Sequence, residues 1–304
     1  MMEDKKVKVL LSAYNGERYI AQQIDSILEQ SFKNIEIYVR DDGSSDKTVQ
    51  IVEEYEKTGR VHLEKGENTG FIKSFFWLVE NSGDADYYAY ADQDDVWFPD
   101  KIAMAMEKLE KTEEDKPVLY FSAYDFYDEK LNFVAHQKAG KRCPTFRNAL
   151  VDCMPLGFNS VFNRAACEQM RAHLPKHSCG HDWWTYLVCQ GLGEVIYDER
   201  ATVKYRRHNR NVSAGGMGFF KFQIWRFKKF FLGNYFTNVR EMLCEYEEFY
   251  KDSLTPEDRQ TLALFTQKGY RLKVVMKKLF YPARFRQSIV DELMLRMIFL
   301  IGRL

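Results

Sequence analysis

Cysteine is sparse and scattered in this chain. The six (Cys143, Cys153, Cys167, Cys179, Cys189 and Cys244) include no C-x-x-C pair and no dense spacing. That argues against a disulfide framework or a thiolate metal site and for a reducing compartment. Proline is also low, at 7 of 304 residues, against 45% hydrophobic and 29% charged. Disordered and collagen-like readings therefore fall away. Long apolar runs are missing: the longest late one, Met297 to Ile301, is five residues, where a bilayer span needs about 20. The opening Met-Met-Glu-Asp-Lys-Lys carries no apolar stretch of a secretory leader. The expectation is a cytoplasmic protein, soluble or peripheral on the inner face of the plasma membrane.

Net charge is absent as well, with Lys+Arg and Asp+Glu both 44. The balance hides an asymmetry: residues 1–214 hold 28 basic and 35 acidic side chains, and residues 215–304 hold 16 and 9. An acidic front joined to a basic tail predicts two domains, 1–214 and a basic, aromatic-rich helical extension over 215–304.

Short apolar runs and helical spacings alternate through the first hundred residues. Val7 to Ala13, Ile35 to Val39, Val61 to Leu63 and Tyr87 to Ala91 read as strands. Between them, Ile20 to Leu28, Thr48 to Tyr55 and Ser74 to Val79 place apolar residues on one helical face. This order predicts an α/β fold, a mostly parallel sheet flanked by helices on both sides. Ligands of such sheets collect at the carboxyl ends of the strands, and polar clusters follow three of these four strands. Later, Ile102 to Leu109 reads as a helix, Val118 to Ala123 as a strand, Asp182 to Val188 as a helix, and Val195 to Tyr197 with Thr202 to Tyr205 as late strands. Residues 124–160 give no clear pattern.

Asp92-Gln93-Asp94-Asp95 is the sharpest feature. Alternate carboxylates at a strand end can converge on one hard cation such as Mg²⁺ or Mn²⁺ and neutralise a diphosphate leaving group; a solvated turn with an N-cap aspartate is the plain alternative. Asp41-Asp42-Gly43-Ser44 occupies an equivalent place one unit earlier. A carboxylate there can accept from a pyrimidine N3–H, or the segment can simply cap the next helix.

The ordered set S-A-Y-N-G at 12–16, D-D-G-S-S-D at 41–46, E-N-T-G at 67–70 and D-Q-D-D at 92–95 resembles family 2 of the inverting glycosyltransferases over roughly residues 5–210. The resemblance implies the GT-A fold and transfer of a sugar from a nucleotide donor. His-Asp-Trp-Trp at 181–184 and Tyr-Arg-Arg-His at 205–208 look most like bacterial polysaccharide rhamnosyltransferases. That implies dTDP-rhamnose as donor, with a UDP-hexose or UDP-hexosamine as the alternative, and a lipid-linked saccharide on a polyprenyl diphosphate as acceptor. Carried over residue by residue, it assigns Ser12, Tyr14, Asp42 and, less directly, Asp41 to the nucleotide. It gives Asn68, Gly70 and Lys73 a nucleotide-facing turn, with Lys73 reaching a phosphate. Asp92 and Asp94 match the metal-and-ribose motif, Asp94 as the direct ligand, and His208 matches a late histidine that joins the metal in some members, a surface histidine being the alternative. Asp182 matches the base of a pair that is usually Glu-Asp, here His181-Asp182; a cap for the Trp183–Val188 helix is the plain alternative. Trp97, Trp183 and Trp184 are either core or sugar platforms, and Arg206 and Arg207 offer guanidinium forks for phosphate.

In the tail, Phe219 to Leu232 and Lys268 to Arg286 mix aromatics with Lys and Arg. That chemistry suits an anionic membrane surface, and a packed appendage or homo-oligomer contact is the competing reading. A nucleic-acid partner is not expected, because aromatics in this number suit lipid as well as bases. A dehydrogenase is the poorer reading, since no G-x-G-x-x-G follows the first strand. An inactive nucleotide-binding module remains the rival from another class.

Overall fold

A computed structural model describes residues 5–137, 143–208, 230, 233–267 and 269–304. The chain forms two compact units. The first is Met1–Ala139 with Pro155–Leu174 and Gly193–His208; the second is Gly140–Met154 with Pro175–Leu192 and Asn209–Leu304.

The first unit carries a nine-stranded sheet among the described residues, in the order β3-β2-β1-β4-β8-β6-β9-β5 with β7 attached to β6. Its strands are β1 (Val7–Ala13), β2 (Ile35–Asp41), β3 (Val61–Lys65), β4 (Tyr87–Asp92), β5 (Val96–Trp97), β6 (Val118–Tyr127), β7 (Phe133–His136), β8 (Ser160–Asn163) and β9 (Glu194–Arg206). The expected parallel sheet is the β3-β2-β1-β4 half. Beyond it the sheet is mixed: β8 runs antiparallel to β4 and β6, and β9 runs parallel to β6. Sequence reading missed β8, β7 and β5 because four, four and two residues are too few to show a period. The two late strands expected over 195–205 are one strand whose register with β6 slips after Ser122.

The helices of this unit are α1 (Ile20–Leu28), α2 (Thr48–Glu56), α3 (Phe71–Asn81), α4 (Lys101–Leu109) and, further along the chain, α6 (Arg164–Ala172). β1 is apolar almost throughout because both of its faces are covered. Ile20, Ile24 and Ile27 of α1 bury against this core with Val9, Leu11, Val39 and Ala89.

Parallel strands end on one edge, and here the register aligns chemistry along it. Ser12 pairs with Arg40 on one side and Asp92 on the other, and Ala13 pairs with Asp41.

The second unit is helical: α5 (Phe146–Ala149), α7 (His181–Leu192), α8 (Tyr235–Tyr250), α9 (Pro256–Thr266), α10 (Leu272–Leu279) and α11 (Ile289–Leu300). Trp184 is fully buried against Tyr246 and Tyr250, and Tyr246 Oη donates to Leu187 O at 3.0 Å. Gly191 permits that approach, since a Cβ there would lie 2.1 Å from the Tyr246 hydroxyl. The aromatic-basic stretch expected at Phe219 to Leu232 lies, but for Phe230, outside the described residues. Among the described residues, no helix is long and apolar enough to cross a membrane.

Candidate active site

At the carboxyl edge β1 runs into Tyr14-Asn15-Gly16, and side chains from the neighbouring strand ends hold its backbone. Gln93 clamps Tyr14 in both directions: Oε1 accepts from Tyr14 N at 2.9 Å and Nε2 donates to Tyr14 O at 3.0 Å. Ser44 Oγ accepts from Asn15 N, and Thr48 Oγ1 from Gly16 N. Residue 16 has to be glycine for this clamp, because a Cβ would sit 2.2 Å from Gln93 Oε1. The Tyr14 ring stays 48% exposed. Ser12 Oγ donates to Ser74 Oγ on α3 at 2.7 Å.

Asp41 and Asp42 are both buried, with different tasks. Asp42 organises the turn before α3: Oδ1 accepts from Arg40 Nη1 and from Thr69 N at 3.0 Å, and Oδ2 accepts from Gly70 N at 2.8 Å. Burial pushes its carboxyl up, but the bonds from Thr69, Arg40 and Gly70 outweigh that and hold it below the usual carboxylate range. Gly70 has φ 87° and Gly43 φ 83°, left-handed conformations that glycine adopts without strain. Asp41 Oδ2 accepts from Ser44 N at 2.9 Å, whereas its buried Oδ1 has no hydrogen-bond partner. Asp41 therefore carries the buried acceptor on this loop that its neighbours leave without a hydrogen bond. Asn68, next to Thr69 in the turn, and Lys73 on α3 are exposed.

The acidic loop after β4 gathers Asp92, Asp94 and Asp95, each presenting an oxygen within 4.8 Å of the others. Asp95 is fully buried; its Oδ1 accepts from Arg206 N at 3.0 Å, and its Oδ2 has no hydrogen-bond partner. Burial, then the Asp94 and Asp92 charges, push its carboxyl well above the usual range. His208 Nε2 lies 2.6 Å from Asp94 Oδ2, and its ring stacks on Tyr19 at 5.0 Å. Three converging carboxylates repel one another, and a cation relieves that strain as a proton does. Clustered oxygen donors, an adjoining imidazole and an orphaned buried oxygen fit a hard divalent ion such as Mg²⁺ or Mn²⁺.

Arg206 is not a phosphate clamp. It is 3% exposed, and its guanidinium donates to Asp94 O at 2.8 Å, Glu129 O at 2.8 Å and Gln22 Oε1 at 2.6 Å. It also lies over the Tyr19 ring, 4.8 Å from the centroid. Arg206 thus braces the acidic loop from behind and supports the ring on which His208 rests. Sequence reading overlooked Arg206's bracing role and the Gln93 clamp, although Gln93 sat inside the acidic motif and Arg206 inside the Tyr-Arg-Arg-His run.

In the second unit, Asp182 opens α7, where its Oδ1 accepts from Trp183 N at 2.8 Å. His181 beside it is buried, and desolvation pushes its imidazole down to about 3. Trp183 donates from Nε1 to Ala149 O at 2.6 Å. Trp183, Trp184 and, in the first unit, Trp97 are 4%, 0% and 2% exposed. All three are core, not sugar platforms.

The sequence matches the Glycosyl transferase family 2 profile over residues 8–171, which contains every β1–β4 strand-end motif described above. Among relatives, dTDP-rhamnosyl transferase RfbG of Shigella flexneri is 25% identical over 229 residues, 69% of this chain and 75% of that protein. An uncharacterized glycosyltransferase of Rickettsia typhi is 32% identical over 213 residues, 67% of this chain and 64% of that protein. In structure the chain resembles residues 1–349 of Staphylococcus aureus TarS solved with UDP-GlcNAc, with a TM-score of 0.58 at 15% identity, covering 96% of this chain and 88% of that one. A matching profile across more than half of the chain, on a GT-A-like mixed sheet with its acidic motif at the carboxyl edge, establishes that this chain belongs to glycosyl transferase family 2 and is a glycosyltransferase.

Proposed function

We propose that this enzyme transfers L-rhamnose from dTDP-rhamnose, with inversion and with a divalent cation, to a hydroxyl of a lipid-linked saccharide in cell-wall or surface polysaccharide synthesis. The observation that carries the reading is the meeting of His208 with Asp94 beside Asp92, on the strand edge shared by Ser12 and Asp41.

Asp94, Asp92 and His208 would hold the ion. When bound, it neutralises charge on the diphosphate leaving group. Asp42, holding the Thr69–Gly70 turn, faces the base and ribose with Asp41 supporting the same loop, and Ser12, Tyr14 and Asn68 line the same donor site. Lys73 reaches a phosphate. We assign the base to Asp182: its carboxylate takes the proton of the acceptor hydroxyl. That oxygen bonds to the anomeric carbon while the bond from that carbon to the diphosphate oxygen breaks on the opposite face. The products are the glycoside and a nucleoside diphosphate.

The RfbG relative, named as a dTDP-rhamnosyl transferase, supports rhamnose. A UDP-hexose or UDP-hexosamine donor is the second reading, favoured by the TarS complex with UDP-GlcNAc. A mannosyltransferase of Pyrobaculum calidifontis, solved with GDP-Man and Mn²⁺ at a TM-score of 0.50 and 15% identity over 98% of this chain and 86% of that one, supports the metal. The net charge of +7 over residues 215–304 supports work at an anionic membrane surface, where a polyprenyl-linked acceptor resides.

A melting-temperature screen of dTDP, UDP and GDP with their sugars, with and without Mn²⁺, tests the donor, because a ligand of the native state raises stability. A Mn²⁺-dependent shift by dTDP compounds alone supports rhamnose, and one by UDP compounds alone moves the assignment to hexose. No shift from any nucleotide overturns the donor site.

A further inference from the structure

We infer that the outward faces of α10 and α11 form a lipid-contact surface that seats the protein on an anionic leaflet. The inference rests on the proposed peripheral-membrane reading and names its contact face.

α11 presents apolar side chains where a helix in water presents polar ones. Every exposed position from 289 to 301 is apolar: Ile289, Val290, Leu293, Met297, Leu300 and Ile301, each at least half exposed. At about 100° per residue these fall in one stripe roughly 120° wide. Its charged residues turn sideways or inward. Glu292 is 5% exposed, accepting from Phe285 N and Arg286 N at 2.8 Å each and from Arg296 Nε at 2.7 Å. Arg296 in turn donates to Lys278 O at 2.9 Å, pinning α11 to the end of α10. The opposite face of α11 is already packed, with Leu295, Ile298 and Phe299 buried. The exposed stripe is therefore a second apolar face, beyond what the core requires.

α10 shows the complementary pattern. Leu272, Met276 and Phe280 are 63%, 41% and 71% exposed at a spacing of four, and the exposed Lys273 and Lys277 flank them on one side. Apolar residues in a stripe with lysines beside it are the arrangement of a helix lying in a membrane interface. Charge selects the occupant. Residues 269–304 hold eight Lys and Arg against two Asp and Glu; Lys278 is buried, and Arg286 and Arg296 pair with Asp152 and Glu292, while the exposed Arg271, Lys273 and Lys277 are complementary to phosphatidylglycerol-type headgroups. An acidic surface of a second copy would need a patch of opposite sign, and the basic excess of this region argues against self-pairing.

The test is sedimentation of the full chain with phosphatidylcholine vesicles, with and without phosphatidylglycerol. Wild type is expected to bind only the anionic vesicles, less tightly at high salt. Leu293→Glu with Met297→Glu should weaken binding by about tenfold or more. Lys273→Glu with Lys277→Glu should weaken it mainly at low salt. Both double variants replace exposed side chains, and each should keep the wild-type melting transition and any Mn²⁺-dependent nucleotide shift. A failed donor assignment shows in that nucleotide shift, whereas a failed lipid face shows in sedimentation. Unchanged vesicle binding by the Leu293/Met297 variant overturns this face as the contact. So does a wild type that ignores anionic vesicles, or a wild-type dimer that the same variant converts to monomer.

Discussion

His208 Nε2 and Asp94 Oδ2 lie 2.6 Å apart although 114 residues separate them. The bond ties the end of β9 to the loop after β4, and so joins the last part of the first unit to its acidic motif. A loop carboxylate held this way is presented at a fixed position, and the imidazole is oriented in turn by the Tyr19 ring.

Asp94→Ala should remove the Mn²⁺-dependent part of any nucleotide-induced melting shift. Turnover should fall by no less than the ~10–100-fold typical of residues that merely support a metal ligand. His208→Ala should act in the same direction. If Mn²⁺ still enhances nucleotide binding in both variants, the metal assignment is wrong.

Asp182→Asn keeps the size of the side chain and its acceptor oxygen for Trp183 N, but removes the base. Turnover should drop by about 10²–10⁴, with donor binding intact by calorimetry. Near-normal turnover would take the base role away from Asp182.

Arg206→Gln shortens the side chain and leaves the carbonyls of Asp94 and Glu129 short of donors. About 1–3 kcal/mol of stability should be lost. A purely structural role would lower melting temperature alone. A positioning role should also weaken Mn²⁺-dependent nucleotide binding at a temperature where the variant is fully folded, with Arg206→Lys intermediate. Unaltered ligand binding in the folded variant would refute positioning.

His181 makes stability depend on pH. Its imidazole is held down to about 3 by burial, against an unfolded value of about 6.5. Between these limits the unfolded chain binds the extra proton, so stability falls as pH drops below about 6.5 and is unaffected by this group above it. His181→Phe should flatten that decline, measured as urea midpoints at about pH 7.5 and about pH 5. Equal pH slopes in the two proteins would rule His181 out as the source.

The half-sheet β3-β2-β1-β4 was legible because strands buried on both faces are written as apolar runs, and helices between them as one-sided stripes. The short strands β5 and β8 were not, since their pairing is decided by β9, β4 and β6 and not by any local period. Trp183 and Trp184 were ambiguous for a related reason: a Trp is equally suited to a core and to a sugar, and only the packing of Ala149 and Tyr246 against them resolves it.

By itself, the order of residue types along the chain determined the family, the strand-end motifs and the acidic cluster, because these depend on which side chains follow which strand. Tertiary structure alone decided that Asp42 is occupied by Thr69 and Gly70 while one buried oxygen of Asp41 is left without a hydrogen bond. It alone turned Arg206 inward to brace Asp94, and turned the apolar stripe of α11 outward. Each of these is a choice of partner or of face, and periodicity gives a helix two faces without saying which one another element will cover.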